Sequence, residues 1–508
     1  MGIAGCLVFL IWFVSGVVMM YQRMPRLTAE ERLARLPALD LSAVHVTPAG
    51  AAATAGVTPD RVRVGMLLGR PAYRFESGNR WTTVWADSGQ PLGGLSQEQA
   101  LKIVAAFEPE HHATVAYRGY LEAPDQWLLD GGLPALLPMH RVSLGDSDDT
   151  VLYVSERTGE PVMKTTATGR AWGYAGAVLH WTYFTPIRER RELWRYGIIY
   201  AALAGCVMCL SGLVVGIWRF SPSKRFRLKR QASHSPYAGL MWWHHYAGLI
   251  FGLVSFTWAL SGALSLTPWD WTPGTDPTDA EQQIVTGGRL RLDEIERDRL
   301  AGATSVLAQS FPVKEVEIQQ FRGRPYAMAY RPPTLADAAR ATNRDVRALL
   351  SSQLAIERRI VELGPPPSSA FARFANAEME TLAGALTPGA QPHDAEWLSE
   401  YDNYYYDRSG AKPLPVLRLR YDDPDRTWLY LDPTSGALSM RFTSVSRLNR
   451  WLYNGLHSFD FPFLYYRRPA WDVVVVLLSL GGIGLTVTTM LPAWRRVRRH
   501  VAGTPHTR

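Results

Sequence analysis

Two histidines stand at the same point of a repeated spacing. Gly159, His180 and Trp194 follow one another at the same intervals as Gly436, His457 and Trp471. Each glycine closes a similar phrase, Val151-Leu-Tyr-Val-Ser-Glu-Arg-Thr-Gly159 and Trp428-Leu-Tyr-Leu-Asp-Pro-Thr-Ser-Gly436. Each tryptophan opens a long apolar run. A hairpin, a histidine and a long helix therefore recur as one unit, and a repeat of this kind sets the architecture. Imidazole is a common metal ligand when neutral. Two of them facing each other across a symmetry axis form an axial pair for a haem iron. The flanking stretches are aromatic and broken by proline: Leu179-His180-Trp-Thr-Tyr-Phe-Thr-Pro186 and Leu456-His457-Ser-Phe-Asp-Phe-Pro462. Such neighbours shield a porphyrin from water. The plainer reading is an interfacial side chain with its polar tip among headgroups. The identical repeat position favours ligation.

The elements that position these histidines come from hydropathy. Met1–Tyr21, Tyr196–Trp218, Tyr246–Trp269 and Val473–Trp494 contain no charged residue. Each matches the ~20 residues a helix needs to cross the hydrocarbon core. Met1–Tyr21 lacks a basic leader and a small-residue cleavage site, so it reads as a retained anchor and not a signal peptide. Gly2, Trp12, Ser15 and Gly16 in the first run match Gly248, Trp258, Ser261 and Gly262 in the third at the same intervals. The chain thus reads as two halves of helix, large polar segment, histidine and helix, related by a parallel pseudo-two-fold along the membrane normal.

Charge sets the orientation. Arg219–Trp243 carries six basic residues and no acid, and Arg495–Arg508 carries five arginines and no acid. With those eleven set aside, 43 basic residues face 46 acidic ones, so the net +8 is not a nucleic-acid signature. It is the positive-inside asymmetry of a membrane protein, with the 219–243 loop, the 495–508 tail and both termini cytoplasmic. Cys6, Cys206 and Cys209 all fall in apolar runs. Cys206-x-x-Cys209 spells a redox pair, but thiolates are disfavoured in hydrocarbon, and buried inert thiols are the expectation.

The polar segments read as α+β. Strands are expected at Arg61–Phe75, Trp81–Ala86, Thr114–Leu121, His140–Leu144 and Thr150–Ser155. A helix capped by Ser96 is expected at Ser96–Phe107. The second segment repeats the theme at Leu292–Phe311, Val313–Phe321, Arg324–Tyr330 and Thr427–Tyr430. Its 334–393 stretch reads as an insertion, with a helix over Leu335–Leu363.

On these residues the chain resembles the PepSY-associated transmembrane (PepSY-TM) family, iron-regulated bacterial inner-membrane proteins that include siderophore-iron reductases. The matching residues are His244-His245-Tyr-Ala-Gly248-Leu249 with Trp258-Ala-Leu-Ser-Gly262, Leu179-His180 and Leu456-His457, and the hairpins Tyr153–Gly159 and Tyr430–Gly436. The resemblance spans nearly the whole chain. It implies a bundle of four transmembrane helices (1–22, 194–218, 244–269 and 471–494). It implies periplasmic PepSY-like domains at 23–168 and 270–445, and interfacial His segments at 169–193 and 446–470. It implies one or two b-type haems held through His180, His457 and His244, with His245 as a further candidate beside them. It also implies electron transfer to a ferric siderophore or other ferric chelate. No flavin or nicotinamide fingerprint appears in the sequence, so a separate donor, quinol or a cytoplasmic reductase, is expected. In the family a histidine precedes the first-helix glycine by four positions. Counted from Gly2 that position falls before Met1, so a late start and a missing ligand both stand open. His245 is a poor substitute, because adjacent side chains on a helix diverge by ~100°. The competing class is a non-enzyme, a membrane-anchored PepSY pair that binds or regulates an envelope protease or sensor.

Overall fold

The structure is a computed structural model and describes residues 2–129, 131–228, 231–334, 357–407 and 412–501. In chain order, helix α1 (Gly2–Met19) precedes strands β1 (Arg61–Leu67), β2 (Arg70–Ser77), β3 (Arg80–Trp85), β4 (Ala116–Leu121), β5 (Met139–Ser143), β6 (Val151–Ser155) and β7 (Glu160–Thr165). Helix α2 (Arg191–Arg219), the hairpin β8 (Phe226–Leu228) and β9 (Gln231–Ser233), and α3 (Leu240–Ser265) follow. Then come β10 (Glu315–Phe321), β11 (Arg324–Tyr330), β12 (Arg358–Glu362), β13 (Pro392–Leu398), β14 (Val416–Tyr421), β15 (Trp428–Asp432), β16 (Ala437–Phe442) and α4 (Ala470–Val501). The chain divides into two compact units: residues 1–24, 171–273 and 445–508 form a helical unit, and 25–170 and 274–444 a β-rich one.

In the helical unit, α2, α3 and α4 are long and apolar enough to cross a membrane; α1 is apolar but shorter. Helix α2 packs on α3, α3 on α4 and α4 on α1. Small residues leave room for the rings of neighbouring helices. A Cβ on Gly481 would stand 2.3 Å from the Phe251 ring, and one on Gly482 2.4 Å from the Phe13 ring.

In the β-rich unit, β4-β5-β6-β7 and β13-β14-β15-β16 are antiparallel sheets of the same order. The sequence shift that carries one onto the other also carries His180 onto His457. The hairpin glycines of the repeated phrase take left-handed backbone, φ +66° at Gly159 and +63° at Gly436. A methyl group there would also meet Leu67 at 2.4 Å or Phe374 at 2.6 Å. The capping box at Ser96 forms, with Gln99 N–H donating to the Ser96 side chain and Ser96 N–H to Gln99 Oε1.

Two expectations fail here. The large polar segments do not form separate domains. Their strands join in one six-stranded sheet, β12-β11-β10-β1-β2-β3, with β10 against β1. Val62 faces Ile318, Val64 faces Val316 and Arg63 faces Glu317 across that seam, so apolar and opposite-charge pairs bind the halves together. The helix expected over Leu335–Leu363 is contradicted at its end: Arg358–Glu362 is strand β12, paired to β11, with Ile360 and Val361 fully buried. β-Branched side chains suit that strand. Residues 335–356 lie outside the described residues. The supposed insertion thus supplies an edge of the shared sheet.

At the centre of this unit is a buried charge cluster. Arg32 donates to Glu315 Oε1 at 2.7 Å and to Glu160 Oε1 at 3.3 Å. Arg63 reaches Glu315 at 3.3 Å and Glu160 at 3.5 Å, and Arg74 reaches Glu160 at 3.3 Å.

Candidate functional site

Each repeated histidine is set by a helix that proline and aromatic content conceal in the sequence. Residues 167–181 and 444–458 are helical, and each helix contains a π-turn, at Tyr174–Val178 and Trp451–Gly455. π-Turns are rare and concentrate at functional sites. Here each shifts the register just before His180 or His457. The helices end on residues in left-handed backbone, Thr182 at φ +54° and Phe459 at φ +53°. For a side chain as bulky as phenylalanine that backbone is an outlier, and outliers cluster at functional sites. The next helix is then pinned to the turn in both copies. Trp194 Nε1 donates to the Trp181 carbonyl at 2.9 Å, and Trp471 Nε1 to the Ser458 carbonyl at 3.0 Å.

The two imidazoles meet. Their centroids lie 6.1 Å apart with the ring planes at 69°. His180 Nδ1 stands 3.1 Å from the Trp12 carbonyl and 3.2 Å from Ser15 Oγ. The Ser15 hydroxyl already donates to the Ile11 carbonyl at 2.6 Å, so both neighbours accept and Nδ1 carries the proton. His457 repeats the arrangement. Its Nδ1 is 3.0 Å from Ser261 Oγ, whose hydroxyl donates to the Trp258 carbonyl at 3.1 Å. With Nδ1 protonated, each Nε2 keeps its lone pair, and neither finds a hydrogen-bond partner among the described residues. An outer hydrogen bond that fixes the tautomer is the usual support for a metal-bound imidazole. Gly16 and Gly262 lie beneath the rings. A Cβ there would approach His180 Cε1 to 3.3 Å and His457 Cε1 to 3.6 Å.

His244 and His245, adjacent in sequence, differ in chemistry. His244 Nδ1 lies 3.2 Å from the Leu485 carbonyl and 2.9 Å from Thr489 Oγ1, and its Nε2 has no partner among the described residues. His245 uses both nitrogens: Nε2–H donates to the Gly216 carbonyl at 2.8 Å and Nδ1 accepts from Ser235 Oγ at 2.7 Å. It has no lone pair left for a metal and instead ties α3 to α2. His244 and Gly262 lie five turns apart on α3, about 27 Å along its axis.

Of the groups weighed from the sequence, haem is the one that two imidazoles with free Nε2 lone pairs could hold. No group of three or more His, Cys, Asp or Glu side chains able to hold a metal occurs among the described residues. A porphyrin iron brings its other ligands with it, so two imidazoles would suffice to hold one. The buried Trp258 Nε1 beside this site has no hydrogen-bond partner among the described residues, a donor left over for a ligand. The three cysteines are free, and Cys206 and Cys209 form no disulfide. Sequence reasoning missed the serines and glycines of the His pockets as site residues. Their signal was present in the matched Ser15-Gly16 and Ser261-Gly262 of the helix repeat.

No protein-family model matches the chain, and no curated protein matches it.

Proposed function

We propose that the chain is a membrane-embedded b-type haem protein that passes electrons to a ferric chelate, such as a ferric siderophore. The observation that carries this reading is the His180–His457 pair at 6.1 Å with both Nδ1 atoms tied to the α1 and α3 helices. In this reading four helices span a bacterial inner membrane, counting α1, with both termini cytoplasmic and the β-rich unit in the periplasm. The eleven basic side chains of the 219–243 loop and the tail, unmatched by any acid, support that orientation.

When bound, haem b supplies a one-electron couple, and ferric iron reduced to ferrous leaves hard oxygen chelators readily. The protein's own part is positional. His180 and His457 would hold the haem iron through their Nε2 lone pairs. Trp12, Ser15, Trp258 and Ser261 fix their tautomers and ring angles. Gly16 and Gly262 leave room beside the rings. His244 would hold a second haem at the opposite end of α3, because nearly the full length of that helix is long for one electron hop. A quinol or cytoplasmic reductase is the donor.

The test is optical and compositional. Purified membranes carrying the chain should show a reducible b-type absorption, and His180→Ala or His457→Ala should each remove one haem per chain. A colourless preparation would leave a membrane-anchored binding or regulatory protein in its place.

A further inference from the structure

The two four-stranded sheets are copies, and their differences open a cavity in one of them. Arg141 faces Tyr153 in the first as Arg418 faces Tyr430 in the second. Tyr153 donates to Asp125 Oδ2 at 2.8 Å, and Tyr430 to Asp402 Oδ2 at 2.8 Å. In the second sheet the arginine is consumed. Arg418 Nη1 donates to Asp402 at 2.9 Å and Nη2 to Glu396. Tyr404 packs on Trp428 and Phe442 alongside, with centroids 5.2 and 5.4 Å apart. In the first sheet, Gly119 stands where Glu396 does, Val151 where Trp428 does and Thr165 where Phe442 does. The second carboxylate and two of the three plug aromatics are gone, Trp127 keeps the place of Tyr404, and a cavity of about 310 Å³ takes the vacated space.

That cavity is cationic. Arg118, Arg141 and Arg170 line it against Asp125 and Asp149, with Trp127 in the wall. Arg118 and Arg170 share Asp149, at 3.0 and 2.6 Å. Arg141 is left with Asp125 at 3.9 Å, and its Nε has no hydrogen-bond partner among the described residues. Arg118 itself replaces Ala395 of the other copy. Guanidinium forks match carboxylates in pairs of hydrogen bonds. We propose that this cavity binds a small polycarboxylate, as the free acid or as its ferric chelate, with Arg141 as the primary contact. The inference stands on the sheet comparison alone and does not require haem.

Calorimetric titration of the full chain in detergent with citrate, and separately with ferric citrate, tests it, with Trp127 fluorescence as a second readout. Saturable binding is expected, weakened roughly tenfold or more by Arg141→Gln and by added salt. Val151→Trp, which restores the plug and leaves every charge in place, should abolish it. Binding of citrate alone assigns the site to the free acid, and tighter binding of ferric citrate assigns it to the chelate. No binding of either by the wild type at about 10 mM, or binding unchanged in both variants, overturns the proposal. Haem content should be the same in these variants, which separates this test from that of the His180–His457 reading.

Discussion

Removing one carboxylate from the buried cluster should loosen the whole β-rich unit. Glu315 is buried between Arg32 and Arg63, and β10, which carries it, is the seam strand of the six-stranded sheet. Burial works against its charge, but the Arg32 and then the Arg63 guanidinium hold the carboxyl down at about 2, against an ordinary 4.5. That difference corresponds to about 3 kcal/mol of preference for the charged form in the folded chain. Breaking a buried ion cluster by removing one partner gives about 3–5 kcal/mol independently. Glu315→Gln keeps the shape and removes the charge, leaving three arginines around Glu160. The expected result at pH 7 is amide exchange in β10 faster by roughly two to three orders of magnitude, measured on the full chain. The pH dependence has a definite sign. A depressed carboxylate contributes its full stability above about 4.5 and loses it as pH falls toward about 2. Wild type should therefore weaken over that window, and the variant should show a flatter profile. Unchanged β10 exchange in Glu315→Gln, or an identical acid profile, would show that the cluster does not hold the seam.

Three further outcomes follow from particular contacts. His245→Ala should leave haem content intact while lowering stability by about 1–3 kcal/mol, since two hydrogen bonds are lost, one to the Gly216 carbonyl of α2 and one from the Ser235 hydroxyl; His244→Ala should lower haem content instead. Gly159→Ala should cost about 1–3 kcal/mol from left-handed backbone plus the clash with Leu67, read as a lower thermal midpoint of the β-rich unit. Cys206→Ser with Cys209→Ser should not change the optical spectrum or its potential, because these thiols are free and stand in apolar helix.

What the sequence disclosed was whatever depends on local spacing. The Gly–His–Trp interval foretold that His180 and His457 occupy equivalent places, and the Ser96 cap and the Gly159 and Gly436 turns follow from residue type alone. Long-range pairing was not legible. Nothing in Arg61–Leu67 or Glu315–Phe321 announces that these strands bond to each other, because register between strands so distant in the chain is settled by which edges remain open after the hairpins form. The π-turn helices were hidden for a different reason. Pro186 and Pro462 suggest broken loops, yet both sit in the first turn of a short following helix, where a missing N–H does no harm. His245 was read by its neighbour's spelling. Only the positions of Ser235 and Gly216 reveal that its nitrogens are spent.

The seam between β1 and β10 bears on how this protein can be handled. A duplicated chain invites the experimenter to cut it and study one half. Severing it in the 219–243 loop and expressing either piece alone would expose a strand edge carrying Val62 and Val64, or Val316 and Ile318, with its backbone groups unpaired. Such an edge recruits whatever strand it meets. Single halves should therefore come out as aggregates or as swapped dimers, and co-expression of both should rescue a monodisperse pairing.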